Sequence, residues 1–318
     1  MIRSIQLRKT RSFGQRLEGT FDFVRVTAKP LFKSLFFFTT PFVLIGTFLV
    51  TNLLNATFNL GETLGTGMED NIEDVMAIGL SAMGFLLLMA FAGSMIMAVV
   101  YSVFRCYEER GDADFTTSEV WEKVAKVYWQ VFGTVFLYGV AFFVLYLIIL
   151  IPFTFLFAFL SILIIPAIYI VLGFFLVILF TALPVQIYER KGIGSALNKA
   201  LSLLKGKWWS SLGLLLLLML IYNAVIVIFS VPFYANMIFS FFSTAEVDFM
   251  QDTPLWQKAL NYLFGAILLL GSFLTYSLPL SGMTLQYFSF SEEKDASNLI
   301  SRIDEFGKQE EEEDKGEF

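Results

Sequence analysis

The sequence predicts an all-α integral membrane protein with six transmembrane helices in three hairpins, each hairpin preceded by an amphipathic helix at the cytoplasmic interface. Three observations carry this expectation. Of the 318 residues, 57% are hydrophobic and 16% charged, where soluble domains average roughly 45–50% and about 25%. Five long stretches, 34–61, 75–104, 127–188, 208–245 and 259–291, hold no Asp, Glu, Lys or Arg. Finally, 21 of the 22 Lys and Arg residues fall in alternate connections between those stretches.

A bilayer core about 30 Å thick needs roughly 20 apolar residues per helix. Four of the charge-free stretches fit one span each, and 127–188, at 62 residues, fits two. The expected spans are 35–54, 79–104, 131–151, 160–183, 209–236 and 262–288. Eight bases from Arg3 to Lys33 precede the first. Arg105, Arg110, Lys123 and Lys126 lie between the second and third, and Arg190, Lys191, Lys199, Lys205 and Lys207 between the fourth and fifth. Lys294, Arg302, Lys308 and Lys315 follow the sixth, leaving Lys258 alone in an odd-numbered connection. Basic connections stay inside, so the expected address is the cytoplasmic (inner) membrane, multi-pass, with both termini cytoplasmic. The opposite loops are acidic, with Glu62, Glu69, Asp70, Glu73 and Asp74 in the first and Glu246, Asp248 and Asp252 in the third. The long basic run before a span-length apolar segment is unlike a cleaved signal peptide.

Three consecutive divisions follow: a basic N-terminal segment (1–34) with an interfacial helix, a six-helix membrane domain (35–290), and an acidic, largely disordered tail (291–318). The first amphipathic helix carries Leu17, Phe21, Val24 and Ala28 at helical spacing and is closed by Pro30. A capping box of Thr116 and Glu119 opens the second, whose apolar face is Val120, Trp121, Val124, Val127 and Tyr128. Ser195 is the expected N-cap of the third, with Ile193, Leu197, Ala200, Leu201 and Leu204 as its stripe and Lys205, Gly206 and Lys207 at its end. The spans also leave the membrane alike, through Tyr107-Glu108-Glu109-Arg110, Tyr188-Glu189-Arg190, and Tyr287 leading to Glu292, Glu293 and Lys294. Helix, span, outer turn and span therefore read as one unit in three copies. Trp121, Tyr128, Tyr188, Glu189, Arg190, Lys205, Lys207, Trp208 and Trp209 are its candidate interfacial anchors, because aromatic and basic side chains favour the headgroup level.

The run Pro184-Val185-Gln186-Ile187-Tyr188-Glu189-Arg190-Lys191-Gly192, with Ser195-Ala196-Leu197 and Leu204-Lys205-Gly206-Lys207-Trp208-Trp209, resembles a family signature. It is similar to the six-span membrane domain fused to some bacterial glycerophosphodiester phosphodiesterases, and to that domain's stand-alone relatives. The segment from Phe21-Asp22-Phe23-Val24-Arg25 to Pro30-Leu31-Phe32 is similar to stand-alone members from Bacteroidota. The resemblance implies a fold and a membrane address. It implies no phosphodiesterase activity, since that catalytic domain is missing and relies on histidines this chain lacks.

With no histidine, Ser–His–Asp and Cys–His systems and His-ligated metals are excluded. The single cysteine, Cys106, excludes internal disulfides and multi-cysteine metal sites. We therefore expect no catalytic residues, no cofactor, no metal and no enzymatic activity. Asn223 is the candidate polar residue inside a span, where an amide more often joins helices than lines a path. Gln186 and Gln286, near span ends, are expected to be satisfied by water and headgroups. Ala90, Ser94 and Ala98 recur every fourth residue, a spacing that suits close packing within the chain or in a homo-oligomer. The bases ring the membrane exits without forming a nucleic-acid recognition element.

From Glu292 on, eleven acids face four bases, while the first 33 residues hold eight bases and two acids. Leu299, Ile300, Ile303 and Phe306 suggest a short helix, with disorder expected from Glu310 to Asp314. The tail reads as a docking segment for a cytoplasmic protein partner, as one folding back on the basic N-terminal segment, or as a solubilising end. Basic helices beside an anionic leaflet favour a non-enzymatic protein that organises lipids or partner proteins at the cytoplasmic face. The alternative is a transporter or channel for an uncharged or amphipathic solute or lipid.

Overall fold

The computed structural model describes residues 5–63, 72–156, 161–245 and 255–314, and among these every regular element is α-helical. In chain order they are α1 (Phe13–Val26), α2 (Ala28–Thr63), α3 (Ile72–Arg110), α4 (Thr117–Leu156), α5 (Ser161–Glu189), α6 (Ile193–Leu204), α7 (Trp208–Ala245), α8 (Leu255–Thr275) and α9 (Ser277–Asp314). Among the described residues six stretches are long and apolar enough to cross a membrane: Ala28–Thr51, Ile78–Arg110, Thr117–Ile148, Tyr169–Glu189, Trp208–Phe239 and Leu255–Ala296. Their number and order are those expected from the charge-free runs. The first outer loop and the acids of the third lie outside the described residues and side chains.

A helix satisfies the backbone of each such segment from within the segment itself, without water. Hydroxyls within them follow the same rule. Thr39 donates to the Leu35 carbonyl at 2.7 Å, Thr47 to Val43 at 2.8 Å and Thr181 to Val177 at 2.8 Å, each one turn back on its own helix.

The helix ends have local causes. Pro30 has no N–H and crowds the turn before it, so α1 stops at Val26 and α2 begins at Ala28, with Leu31 donating to the Thr27 carbonyl at 2.9 Å. Pro30 thus sits in the first turn of the next helix, where its missing donor costs nothing. Pro279 repeats this between α8 and α9, three residues after the join at Tyr276. Gly111 follows α3 at φ +77° and Gly206 follows α6 at φ +78°, the left-handed conformation that closes a helix.

Three expectations change. The second amphipathic segment is not a separate helix: α4 runs unbroken from Thr117 into its span, because no proline stands between Thr117 and Ile151. Its capping box is present, with the Glu119 N–H donating to Thr116 Oγ1 at 3.4 Å and that hydroxyl to Glu119 Oε1 at 3.1 Å. The N-cap of α6 is Gly192 and not Ser195; Ser195 is the third helical residue and its hydroxyl donates back to the Gly192 carbonyl at 2.9 Å. And α9 continues to Asp314, where a short helix followed by disorder was expected. Glu and Lys are good helix formers, and Pro, the strong breaker, does not occur after Pro279.

The chain divides into two compact units, which cut across the three consecutive segments read from the sequence. One comprises Met1–Val26, Phe142–Leu216 and Ser281–Phe318, the other Thr27–Ala141 and Leu217–Leu280. In the second, α2 packs on α3 and α8. Gly46 of α2 makes this possible, since a Cβ there would stand 3.1 Å from Leu88 and 3.3 Å from Leu269. Ser94 and Ala98 are fully buried in this unit, with Val99, Val100, Val103 and Phe104, so that stretch of α3 serves internal packing. Val120, Val124, Val127 and Val131 of α4 supply a buried line at four-three-four spacing. In the first unit α5 packs on α6, burying Phe180, Leu183, Ala196, Ala200 and Leu204.

Candidate functional site

Charged side chains gather where helices end, and in the first unit they form a network around Gln286 to Lys294 of α9. The α1 face that packs inward is Arg16, Thr20 and Phe23, while Phe21 of the expected apolar stripe is exposed. Arg16 is only 5% exposed. Its Nη1 donates to Gln286 Oε1 at 3.0 Å and its Nη2 to Ser210 Oγ at 2.9 Å. The guanidinium also lies over the Phe290 ring, 4.9 Å from the centroid. Burial lowers its pKa and the nearby Glu293 carboxylate opposes that shift; an arginine in this setting stays a cation. Arg16 Nε and Gln286 Nε2 are both buried and find no acceptor among the described residues.

Beside Arg16 the N-terminal segment runs antiparallel to α9. The Arg11 N–H donates to Ser289 Oγ at 2.8 Å, and Arg8 stands 3.9 Å from Glu292. The first acids beyond the charge-free run 259–291 are thereby engaged inside the chain, as the fold-back reading of the tail anticipates for Glu292. Glu293 takes an ion pair from Lys207 at 2.5 Å, whose ammonium also sits 4.5 Å from the Phe290 centroid. Lys294 donates to Ser202 of α6 at 2.7 Å. Side chains beyond Ala296 are outside the described residues.

Glu189 is the second hub. It closes α5 and receives Lys191 at 2.9 Å, Lys199 of α6 at 2.6 Å and the Tyr287 hydroxyl of α9 at 2.9 Å. Its neighbour Tyr188 lies over Tyr287 and Phe288, with ring centroids 6.1 and 5.0 Å away. Arg190 is exposed and takes φ +52°, the left-handed conformation that Gly111 adopts after α3. For a residue with a Cβ this costs about 1–2 kcal/mol. Lys205 is exposed at the α6 C-cap. Trp208 and Trp209 meet Phe174 edge-on at 5.7 and 5.5 Å, and Trp209 is 74% exposed.

The second unit holds a matching clasp. Glu109, near the end of α3, pairs with Lys123 of α4 and with Arg105 at 3.4 Å, while Arg110 reaches Glu119 at 2.6 Å. Trp121 is 46% exposed and lies 4.9 Å from Phe38. Tyr128 is half-buried, its hydroxyl donating to the Phe91 carbonyl at 3.5 Å.

The polar residues at depth differ from those expected. Asn223 is exposed on α7, and its Nδ2 donates to the Met219 carbonyl at 2.7 Å, one turn back. Among the described residues it joins no other helix. The interhelical amide pair is instead Asn236 of α7 with Asn261 of α8, and Asn236 is 8% exposed. Gln286 is also no headgroup-solvated amide, since it is buried and holds Arg16. Its contact was missed because 270 positions separate the partners; the one local signal is the Arg16, Thr20, Thr27 line of buried polar residues along the start of the chain.

These arrangements bind helices together through ion pairs and buried hydrogen bonds. Cys106 is buried, and among the described residues no cluster of Cys, Asp and Glu is arranged to hold a metal ion. Compared with protein-family models, with curated proteins and with solved structures, the chain finds no match.

Proposed function

We propose that this chain is a multi-pass protein of the cytoplasmic membrane, both termini inside, that organises lipids or partner proteins at the cytoplasmic face without catalysing a reaction. The observation that carries the reading is the commitment of the charged exits: Glu109 and Glu189 each pair with a lysine of the following helix and with a second base nearby, so their charge holds architecture together. Around them the spans turn large apolar side chains outward. Only 17% of the most apolar window in Thr117–Ile148 and 22% of that in Trp208–Phe239 is buried, which suits contact with lipid.

Three units, each an amphipathic helix leading a hairpin, fit the same facts. Arg16, Thr20 and Phe23, then Val120, Val124 and Val127, then Ala196, Ala200 and Leu203 are buried at identical four-three spacing. Phe21 and Leu201 stand at equivalent places beside that line and are exposed, as side chains entering the acyl boundary would be. Kinship with the six-span membrane domain of glycerophosphodiester phosphodiesterases accords with this plan and rests on residues 184–212. The carrier alternative draws less support from Asn223, whose Nδ2 donates to the Met219 carbonyl of its own helix.

Native mass spectrometry of the full chain, extracted gently from its own membrane, tests the reading. The comparison is a truncation after Ala296, which keeps the Glu292 and Glu293 clasps. A stoichiometric protein lost with residues 297–318, or a retained phospholipid, is expected. A bound water-soluble solute, with neither lipid nor protein partner, would replace the organising role by transport.

A further inference from the structure

We propose that the groove between α2 and the first turns of α4 binds one anionic phospholipid, its phosphate at Lys33 and its acyl chain on Phe37, Phe38 and Trp121. This rests on the membrane reading above and names the lipid class. The groove has a volume of about 420 Å³ and is completed by Thr117 and Ser118, a size within the roughly 300–1,000 Å³ of small-ligand sites.

Its chemistry is that of a lipid, polar at one end and apolar along its length. Lys33 is exposed and, among the described residues, no carboxylate lies within ion-pair distance of it. Lys123 and Lys126 of the same unit are neutralised by Glu109 and Glu122. No acid lines the groove. Its floor is aromatic: Phe37 is 57% exposed, and Trp121 lies against Phe38. Lys33 stands near the start of the candidate span Ala28–Thr51 and Thr117 opens Thr117–Ile148, so the cation sits where headgroups lie and Phe37, one turn deeper, where chains begin. An aromatic floor gives a free phosphate nothing to pack on, whereas an acyl chain fills it.

The test titrates the purified full chain in detergent micelles with phosphatidylglycerol or phosphatidylcholine of matched chains, read by native mass spectrometry. One phosphatidylglycerol is expected per chain, held about fivefold more tightly than phosphatidylcholine, the gain for one lysine beside an anionic headgroup. Lys33→Gln should abolish that preference, Trp121→Ala should weaken both lipids, and Lys29→Gln, outside the groove, should change neither. Unaltered headgroup preference in Lys33→Gln, or equal loss in Lys29→Gln, would overturn the groove as the site. A chain released from its membrane by alkaline washing would sink the membrane reading and the groove with it, an outcome distinct from lost selectivity in a chain that stays embedded.

Discussion

The buried Arg16–Gln286 contact supports a quantitative prediction. Arg16 makes two charge-assisted hydrogen bonds, each worth about 1.5–3 kcal/mol, against a desolvation cost of several kcal/mol for a buried ion. The intact cluster is therefore near balance, and removing either partner is not symmetric. Gln286→Leu leaves the cation in place with one acceptor fewer and should cost about 3 kcal/mol. Arg16→Met removes the ion together with its burial penalty, leaving the Gln286 carbonyl and the Ser210 hydroxyl to re-pair, and should cost about 2 kcal/mol. In the double variant the costly orphan is gone, so the total should stay near 2 kcal/mol, a coupling of about 3 kcal/mol. The assay is reversible unfolding in detergent for the four members of the cycle. Single-variant losses that add to within about 0.5 kcal/mol would refute the reasoning, because they would mean that Arg16 and Gln286 do not share a buried site.

Other outcomes follow from single residues. Asn223→Leu should leave stability within about 0.5 kcal/mol of the parent, whereas Asn236→Leu, which strands Asn261, should cost about 0.6–1.7 kcal/mol; the reverse ranking in the same unfolding assay would contradict the amide assignments. Arg190→Gly should stabilise the chain by about 1 kcal/mol, since glycine accepts φ +52° without a Cβ penalty. A loss of stability there would show that the Arg190 side chain holds the turn.

What the sequence disclosed follows from the range over which each force acts. The six apolar helices were legible because charge is costly in hydrocarbon, and its absence over span-length runs is visible residue by residue. The breaks at Pro30 and Gly206 were legible for a similar reason, since each acts on its own turn. Ser195 misled because a serine near a helix start can cap or can bond back to a carbonyl, and Gly192 left the start three residues earlier. Tyr188, Glu189 and Lys207 could be singled out as a charged, aromatic exit. Their partners Tyr287 and Glu293 belong to another helix, and only the fold brings them within reach. Asn236 and Asn261 lay in charge-free runs with no pattern to separate them from Asn223. The difference between them is which face meets another helix, a property of packing.

The proposed cytoplasmic role depends most directly on the six-span topology with basic connections inside. Cysteine labelling reads it, because the one native thiol, Cys106, is buried. In a Cys106→Ser background, a membrane-impermeant maleimide applied to intact cells should modify Gly65→Cys and Thr253→Cys and spare Asp112→Cys, which should react only after the membrane is opened. Modification of Asp112→Cys in intact cells, with Gly65→Cys protected, would contradict the orientation and the cytoplasmic role built on it.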